Sequence, residues 1–271
     1  MDIYESVIRF YESVKTEKRI IGKSLTGRKI VAVKLGEGSP VGIAQYALHG
    51  REYITAKLAI RQYQTGGIVG SCWLVPLGNP DGALLSQTGA DGFSDKVRKR
   101  LIELNNGTDF SLWKANARGV DLNVNFDALW GQGVKNVRYP NAENYIGKKP
   151  FSEPETQALK AFTEKMRPDY TVSYHTKGEE IYWYFHQPFR DCLRDKALAI
   201  ALSEATGYKL AYAKGSVGGY KDWCIRQLHI PSFTIEAGAE RLTHPITEEE
   251  LPVLFERNKT ALQALSKGFT K

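Results

Sequence analysis

The chain has 271 residues, 42% of them hydrophobic and 25% charged, with a net charge of +7. This balance is that of a globular protein, and the length suits one large domain, taken as residues 1–271. The positive charge is not gathered into a basic run, which argues against nucleic acid; it fits an acidic small substrate, an anionic polymer or simply solubility, and no stretch is apolar for long enough to insert into a membrane.

Asp2 caps a predicted helix that runs to about residue 15, with Ile3, Val7, Phe10 and Val14 on one face. Strands are predicted at 19–22 and 30–35, joined by a turn at 25–28. A buried strand at 43–48 leads into His49-Gly50-Arg51-Glu52. A helix follows at 54–64, then a strand at 72–76 and the turn Asn79-Pro80-Asp81-Gly82. Residues 83–150 read as long loops around a short helix at 95–104, and loops of that length usually carry function. Ser152 and Glu155 form a capping pattern that opens a helix to about residue 166. Strands are expected at 170–175 and 180–185, a helix at 189–206, a Gly-rich loop at 215–219 and a short helix ending near 228. A strand at 232–236 and a helix at 247–267, opened by Thr247 and Glu250, complete the chain. Alternating helices and strands predict an α/β fold: a mixed, mostly parallel sheet with helices on both faces.

Three of the predicted strands end in His49, His175 and Glu236. Ligands in open α/β sheets bind beyond the carboxyl ends of the strands. Gly50 allows a sharp turn that brings His49 and Glu52 to one point, and His175 is a natural third zinc ligand in a His₂Glu set. Glu236, between Ile235 and Ala237-Gly238, is expected to have a raised pKa and to act as general base. Cys72, Cys192 and Cys224 are widely spaced, with no Cys-x-x-Cys pair, and charges interrupt every apolar run near the N-terminus. Together these features predict reduced thiols, no signal peptide and a cytoplasmic location. The sequence sets no oligomeric state.

His49-Gly50-Arg51-Glu52, His175 and Phe233-Thr234-Ile235-Glu236 resemble the zinc metallocarboxypeptidases related to carboxypeptidase A. The segment from Asn116 to Asn123 resembles the family's substrate-binding stretch, and the segment from Val217 to Trp223 resembles its specificity loop. Ser173 to Trp183 is most similar to the γ-D-glutamyl-diaminopimelate endopeptidase branch, as are Glu143-Asn144-Tyr145 and Ser152 to Glu155. The resemblance implies one zinc per chain on His49, Glu52 and His175, Glu236 as base, and Arg118 beside the developing oxyanion. It further implies that Asn123 and Arg51 bind substrate, and that Lys221, with Tyr220 beside it, forms the floor of the pocket beyond the scissile bond. Lys221 there suits the side-chain carboxylate of diaminopimelate. Val124 stands where the carboxypeptidases usually carry an arginine that clamps the terminal carboxylate. The position of the family's mobile tyrosine falls by ungapped count on Lys214, with Tyr212 and Tyr220 nearby. The expected activity is hydrolysis of γ-D-glutamyl–diaminopimelate bonds in small muropeptides. The alternatives are a general carboxypeptidase or deglutamylase of the same fold, and a non-catalytic muropeptide-binding module.

Overall fold

Strands whose residues are buried on both faces belong in the middle of a parallel sheet, and four segments meet that description: β3 (Val41–Tyr46), β4 (Ser71–Val75), β5 (Tyr170–His175) and β8 (Ser232–Glu236). In the computed structural model, which describes residues 1–270, these four strands run parallel in the order β4-β3-β5-β8. β1 (Lys18–Lys23) and β2 (Lys29–Gly36) extend the β4 side in antiparallel fashion. β6 (Glu180–Tyr182) pairs antiparallel with β8, and β7 (Lys209–Ala211) lies parallel to β6 at the far edge. The result is the expected α/β architecture, an eight-stranded mixed sheet.

Alternate side chains of each central strand enter different cores. Ala44, Leu74 and Val172 pack under α1 (Ile3–Ser13), α2 (Ile54–Thr65) and α6 (Phe189–Thr206), together with α8 (Leu251–Asn258) and α9 (Ala261–Lys267). Ile43, Trp73 and Val75 pack on the other face against α5 (Pro154–Met166) and α7 (Tyr220–Leu228). Both faces are thus covered by helices.

The elements depart from the sequence reading at several places. The segment after Val75 is not a turn into loops: Asn79 caps α3 (Pro80–Thr88), its side chain accepting from the Gly82 N–H, with Pro80 in the first turn. α4 (Asp95–Asn105) follows as expected. Ser152 does not cap α5; its hydroxyl donates to Glu153 at 2.7 Å, and Glu153 is the cap residue. The capping box at Thr247 and Glu250 does not form, and the single C-terminal helix is instead a 3-10 turn at Glu248–Glu250 followed by α8 and α9. β3 ends at Tyr46 because Ala47 adopts a left-handed backbone (φ 50°), which turns the chain before His49. β6 stops at Tyr182, short of the predicted end, where Gln187 accepts a hydrogen bond from the Phe185 N–H and folds the chain back.

Candidate metal centre and active-site cleft

β3, β5 and β8 are adjacent and parallel, so their carboxyl ends deliver residues to one place. His49 follows β3 and opens a 3-10 turn, Gly50–Glu52, that brings Glu52 back beside it. Gly50 makes this turn possible by its size: a Cβ there would lie 2.4 Å from the Gly82 carbonyl oxygen and 2.7 Å from that of Trp113. The turn is fastened to the 113–114 backbone by Gly50 N–H to the Lys114 carbonyl (2.9 Å) and Arg51 N–H to the Trp113 carbonyl (2.8 Å). Asn79 braces it from below, donating to the carbonyls of Leu48 and Ala115.

The predicted trio meets. Nδ1 of His49 is 2.9 Å from Oε1 of Glu52, Nδ1 of His175 is 2.9 Å from its Oε2, and the two Nδ1 atoms are 3.1 Å apart. All three side chains are buried, and one donor atom from each lies within 4.8 Å of the others. The far nitrogen of His49, Nε2, is 3.1 Å from Asp121. A carboxylate on the outer nitrogen of a metal-ligating histidine fixes its tautomer and leaves the inner nitrogen free to coordinate. Two imidazole nitrogens and a carboxylate, so oriented, fit zinc. Burial opposes ionisation of Glu52, but the two imidazoles beside it prevail and hold its carboxyl well below the usual range.

Glu236 lies in register with His175 on the neighbouring strand. Burial pushes its carboxyl up to about 7, against the pull of His175. It lines a cavity of about 230 Å³ together with Asn123, Lys214 and Lys221. Asn123 is fixed there by accepting the Tyr220 N–H at 3.3 Å. The Lys221 ammonium is buried at 5% exposure, donates to Asp222 (2.6 Å) and to the Tyr184 carbonyl (3.2 Å), and sits over the Phe185 ring.

Arg51 lines a second cleft, of about 590 Å³, with Lys114 and Val124. Its guanidinium lies 3.8 Å from Glu143.

Two expected site residues stand elsewhere. Arg118 points away from the trio: its guanidinium is 3.3 Å from Glu153 and half exposed, on the far side of the loop that begins at Asn116. The loop turns at Gly119 (φ 77°), so the Arg118 and Asp121 side chains leave it in different directions. Tyr220 is fully buried, with its hydroxyl 2.8 Å from Thr163 on α5 and its ring against Phe126. It begins α7 on the side facing the sheet, so Lys221, one position on, takes the cavity wall. Of the three positions near the mobile tyrosine, Lys214 lines the cavity, while Tyr212 is exposed against Trp183 and Tyr184.

The sequence reading missed Lys114 and Asp121. The Lys114 ammonium is 3.4 Å from Asp121. Burial works against its charge, but Asp121 and Glu52 hold its pKa above the ordinary lysine value. In turn its charge acts on His49, on Asp121 and on Glu236. Lys114 is therefore the fixed cation of the centre. Its position comes from backbone bonds to the Gly50 turn, which leave no mark in the local sequence.

Comparison with known proteins places these features in context. Residues 8–261 match the family model described as zinc carboxypeptidase. The gamma-D-glutamyl-L-diamino acid endopeptidase 1 of Lysinibacillus sphaericus is 30% identical over 248 residues, covering 84% of this chain; the chain spans 62% of that relative's length. Bovine thrombin-activatable fibrinolysis inhibitor superposes with a TM-score of 0.76 at 17% identity, over 98% of this chain and 96% of the other. The murein-tripeptide amidase of Escherichia coli O157 superposes with a TM-score of 0.65 at 24% identity, over 97% of each chain.

Proposed function

The chain belongs to the zinc carboxypeptidase family, and from that premise we propose that it is a zinc-dependent peptidase, with one zinc per chain on His49, Glu52 and His175, that hydrolyses the γ-D-glutamyl–diaminopimelate bond of peptidoglycan stem peptides. The observation that carries the specificity is the Lys221 ammonium, buried in the wall of the cavity that contains Glu236. Of its three N–H donors, two are engaged among the described residues, by Asp222 and by Tyr184. The third suits a carboxylate at the end of a substrate side chain, which diaminopimelate has and lysine lacks. The naming of the Lysinibacillus sphaericus and Escherichia coli relatives for diamino-acid and murein peptides supports the same substrate class.

In this reading the chain's own groups divide the work. His49, Glu52 and His175 would hold a zinc ion, which would supply Lewis acidity at the scissile carbonyl and a lowered pKa for the attacking water. Glu236, its carboxyl raised to about 7 by burial, accepts the proton of that water and returns it to the leaving amine. Lys114 offers a fixed positive charge to the developing oxyanion, the part first assigned to Arg118. Asn123 hydrogen-bonds the substrate backbone beyond the cut, and Arg51 faces the residue before it.

A second reading, a carboxypeptidase of the same fold, is disfavoured by Val124, which offers no charge to a terminal carboxylate. A non-catalytic binding module would have no use for a buried carboxylate in register with a histidine of a His-Glu-His cluster. We further propose a small soluble muropeptide as substrate and a cytoplasmic location. The three cysteines are free and no helix among the described residues is long and apolar enough to cross a membrane. Mass spectrometry of the products from L-Ala-γ-D-Glu-diaminopimelate tripeptide and tetrapeptide tests the assignment. Release of L-Ala-γ-D-Glu from both peptides supports it, and removal of only the last residue of the tetrapeptide, with the γ-D-glutamyl bond left intact, overturns it.

A further inference from the structure

The second cleft is walled by two segments that are far apart in sequence. Val134 donates its N–H to the Gly215 carbonyl at 2.9 Å, and its side chain covers Gly215 so closely that a Cβ there would meet Val134 Cγ2 at 2.6 Å. The segments are thus clasped at one point, and each presents a lysine beside the clasp, Lys135 and Lys214. Lys214 and Ser216 line both this cleft and the Glu236 cavity, which makes the two the halves of one groove.

The charge of this half is unbalanced. Arg51, Lys114, Lys135 and Lys214 line it, with Glu143 as the single acid. Arg51 has Glu143 at 3.8 Å and Lys114 has Asp121 at 3.4 Å. Neither Lys135 nor Lys214 has a hydrogen bond or ion pair among the described residues. A concave surface with surplus cations focuses a positive potential and gathers anions. The Lys221 pocket lies in the other half of the groove.

We propose that Lys135 and Lys214 form an anion-binding subsite for a carboxylate on the substrate residue before the scissile bond, so that the preferred substrate carries one carboxylate on each side of the cut. This rests on the peptidase reading above. A glutamyl residue joined through its γ-carboxyl keeps its α-carboxylate free, three carbons from the scissile carbonyl. A residue without a free carboxylate has no such group there, so the subsite selects for an acidic residue before the cut. Amidation of that α-carboxylate removes the charge and the preference with it.

The test compares L-alanyl-γ-D-glutamyl-meso-diaminopimelate with the same peptide carrying an α-carboxamide on the glutamyl residue. kcat/KM is measured for both in the wild type, Lys135→Met, Lys214→Met and the double variant, all zinc-loaded. Exposed charge pairs contribute about fivefold each, so the expected acid-to-amide preference is about 20-fold, carried mainly by KM. It should fall about fivefold in each single variant and approach unity in the double variant. It should also shrink as ionic strength rises. A wild-type preference near unity, or one that survives the double substitution, overturns the proposal. Calorimetric binding of L-alanyl-γ-D-glutamate and its α-amide separates this subsite from the cleavage reading. Preferential binding of the acid, lost in the double variant, upholds the subsite even if neither peptide is cleaved. Equal binding of both, or none, overturns it.

Discussion

Asp121 holds Nε2 of His49 at 3.1 Å, on the side of the ring opposite Glu52 and His175. That contact leaves Nδ1 as the nitrogen turned toward Glu52 and His175. Asp121→Ala should therefore weaken zinc binding by about 10- to 100-fold, while His175→Ala should abolish stoichiometric binding and leave the chain folded. Zinc content after dialysis, with circular dichroism alongside, measures both. Full zinc retention by His175→Ala would remove it from the ligand set.

Glu236→Gln preserves the shape of the cavity wall but removes the proton acceptor. Zinc content should stay at the wild-type level while kcat falls by at least about 10²-fold. A variant close to wild type would assign the base to another residue.

Lys114 and Arg118 are four residues apart but face different surroundings, Asp121 and Glu153 respectively. Lys114→Met should lower kcat by about 10²- to 10³-fold, the usual effect of losing a group that stabilises the oxyanion. Arg118→Met should change it by less than about threefold, because its ion pair is partly exposed. The reverse pattern would return the oxyanion role to Arg118.

The buried pair of Lys221 and Asp222 predicts substrate selectivity. Lys221→Met should reduce kcat/KM for the diaminopimelate tripeptide by about 10²-fold and leave the weaker reaction on the lysine tripeptide unchanged. An unaltered ratio between the two peptides would take Lys221 out of the specificity pocket.

Glu155 predicts how stability varies with pH. Burial raises its carboxyl from 4.5 to about 7, although Leu25 N–H and the Asn116 amide donate to it. The folded state thus binds the proton more tightly than the unfolded chain. Its stabilising effect is complete below about pH 4.5 and is lost as pH rises through about 7, a difference of roughly 3 kcal/mol. Melting temperatures between pH 5 and 8 should therefore fall more steeply in wild type than in Glu155→Gln. Parallel curves would mean that another group titrates in this interval.

Much of the site was legible because each key residue ends or follows a run of strand-forming residues. His49, His175 and Glu236 each mark the exit of a central strand, and the parallel sheet turns that local signal into spatial convergence. Lys114, Asp121 and Lys214 gave no comparable signal. They sit in irregular segments whose course is set by long-range backbone bonds, such as Gly50 to Lys114 and Val134 to Gly215. Tyr220 and Lys221 show the limit from the other direction: the loop and helix were recognised, but helix phase decides which of two neighbours faces the cavity. α3 was missed although Asn79, Pro80 and Asp81 together form a helix start, because the same residues also spell a turn.

β8 is one of the last strands in the chain, yet it sits between β5 and β6 inside the sheet. A chain emerging during synthesis can assemble β3, β4 and β5 and bring its two histidines together before residues 232–236 exist. It then holds His49, Glu52 and His175 without Glu236. The edge of β5 that β8 covers stays unpaired until residues 232–236 arrive, so Glu236 joins His175 only then. The order of elements along the chain thus works as a timing device, keeping Glu236 apart from the His49, Glu52 and His175 cluster until β8 is in place.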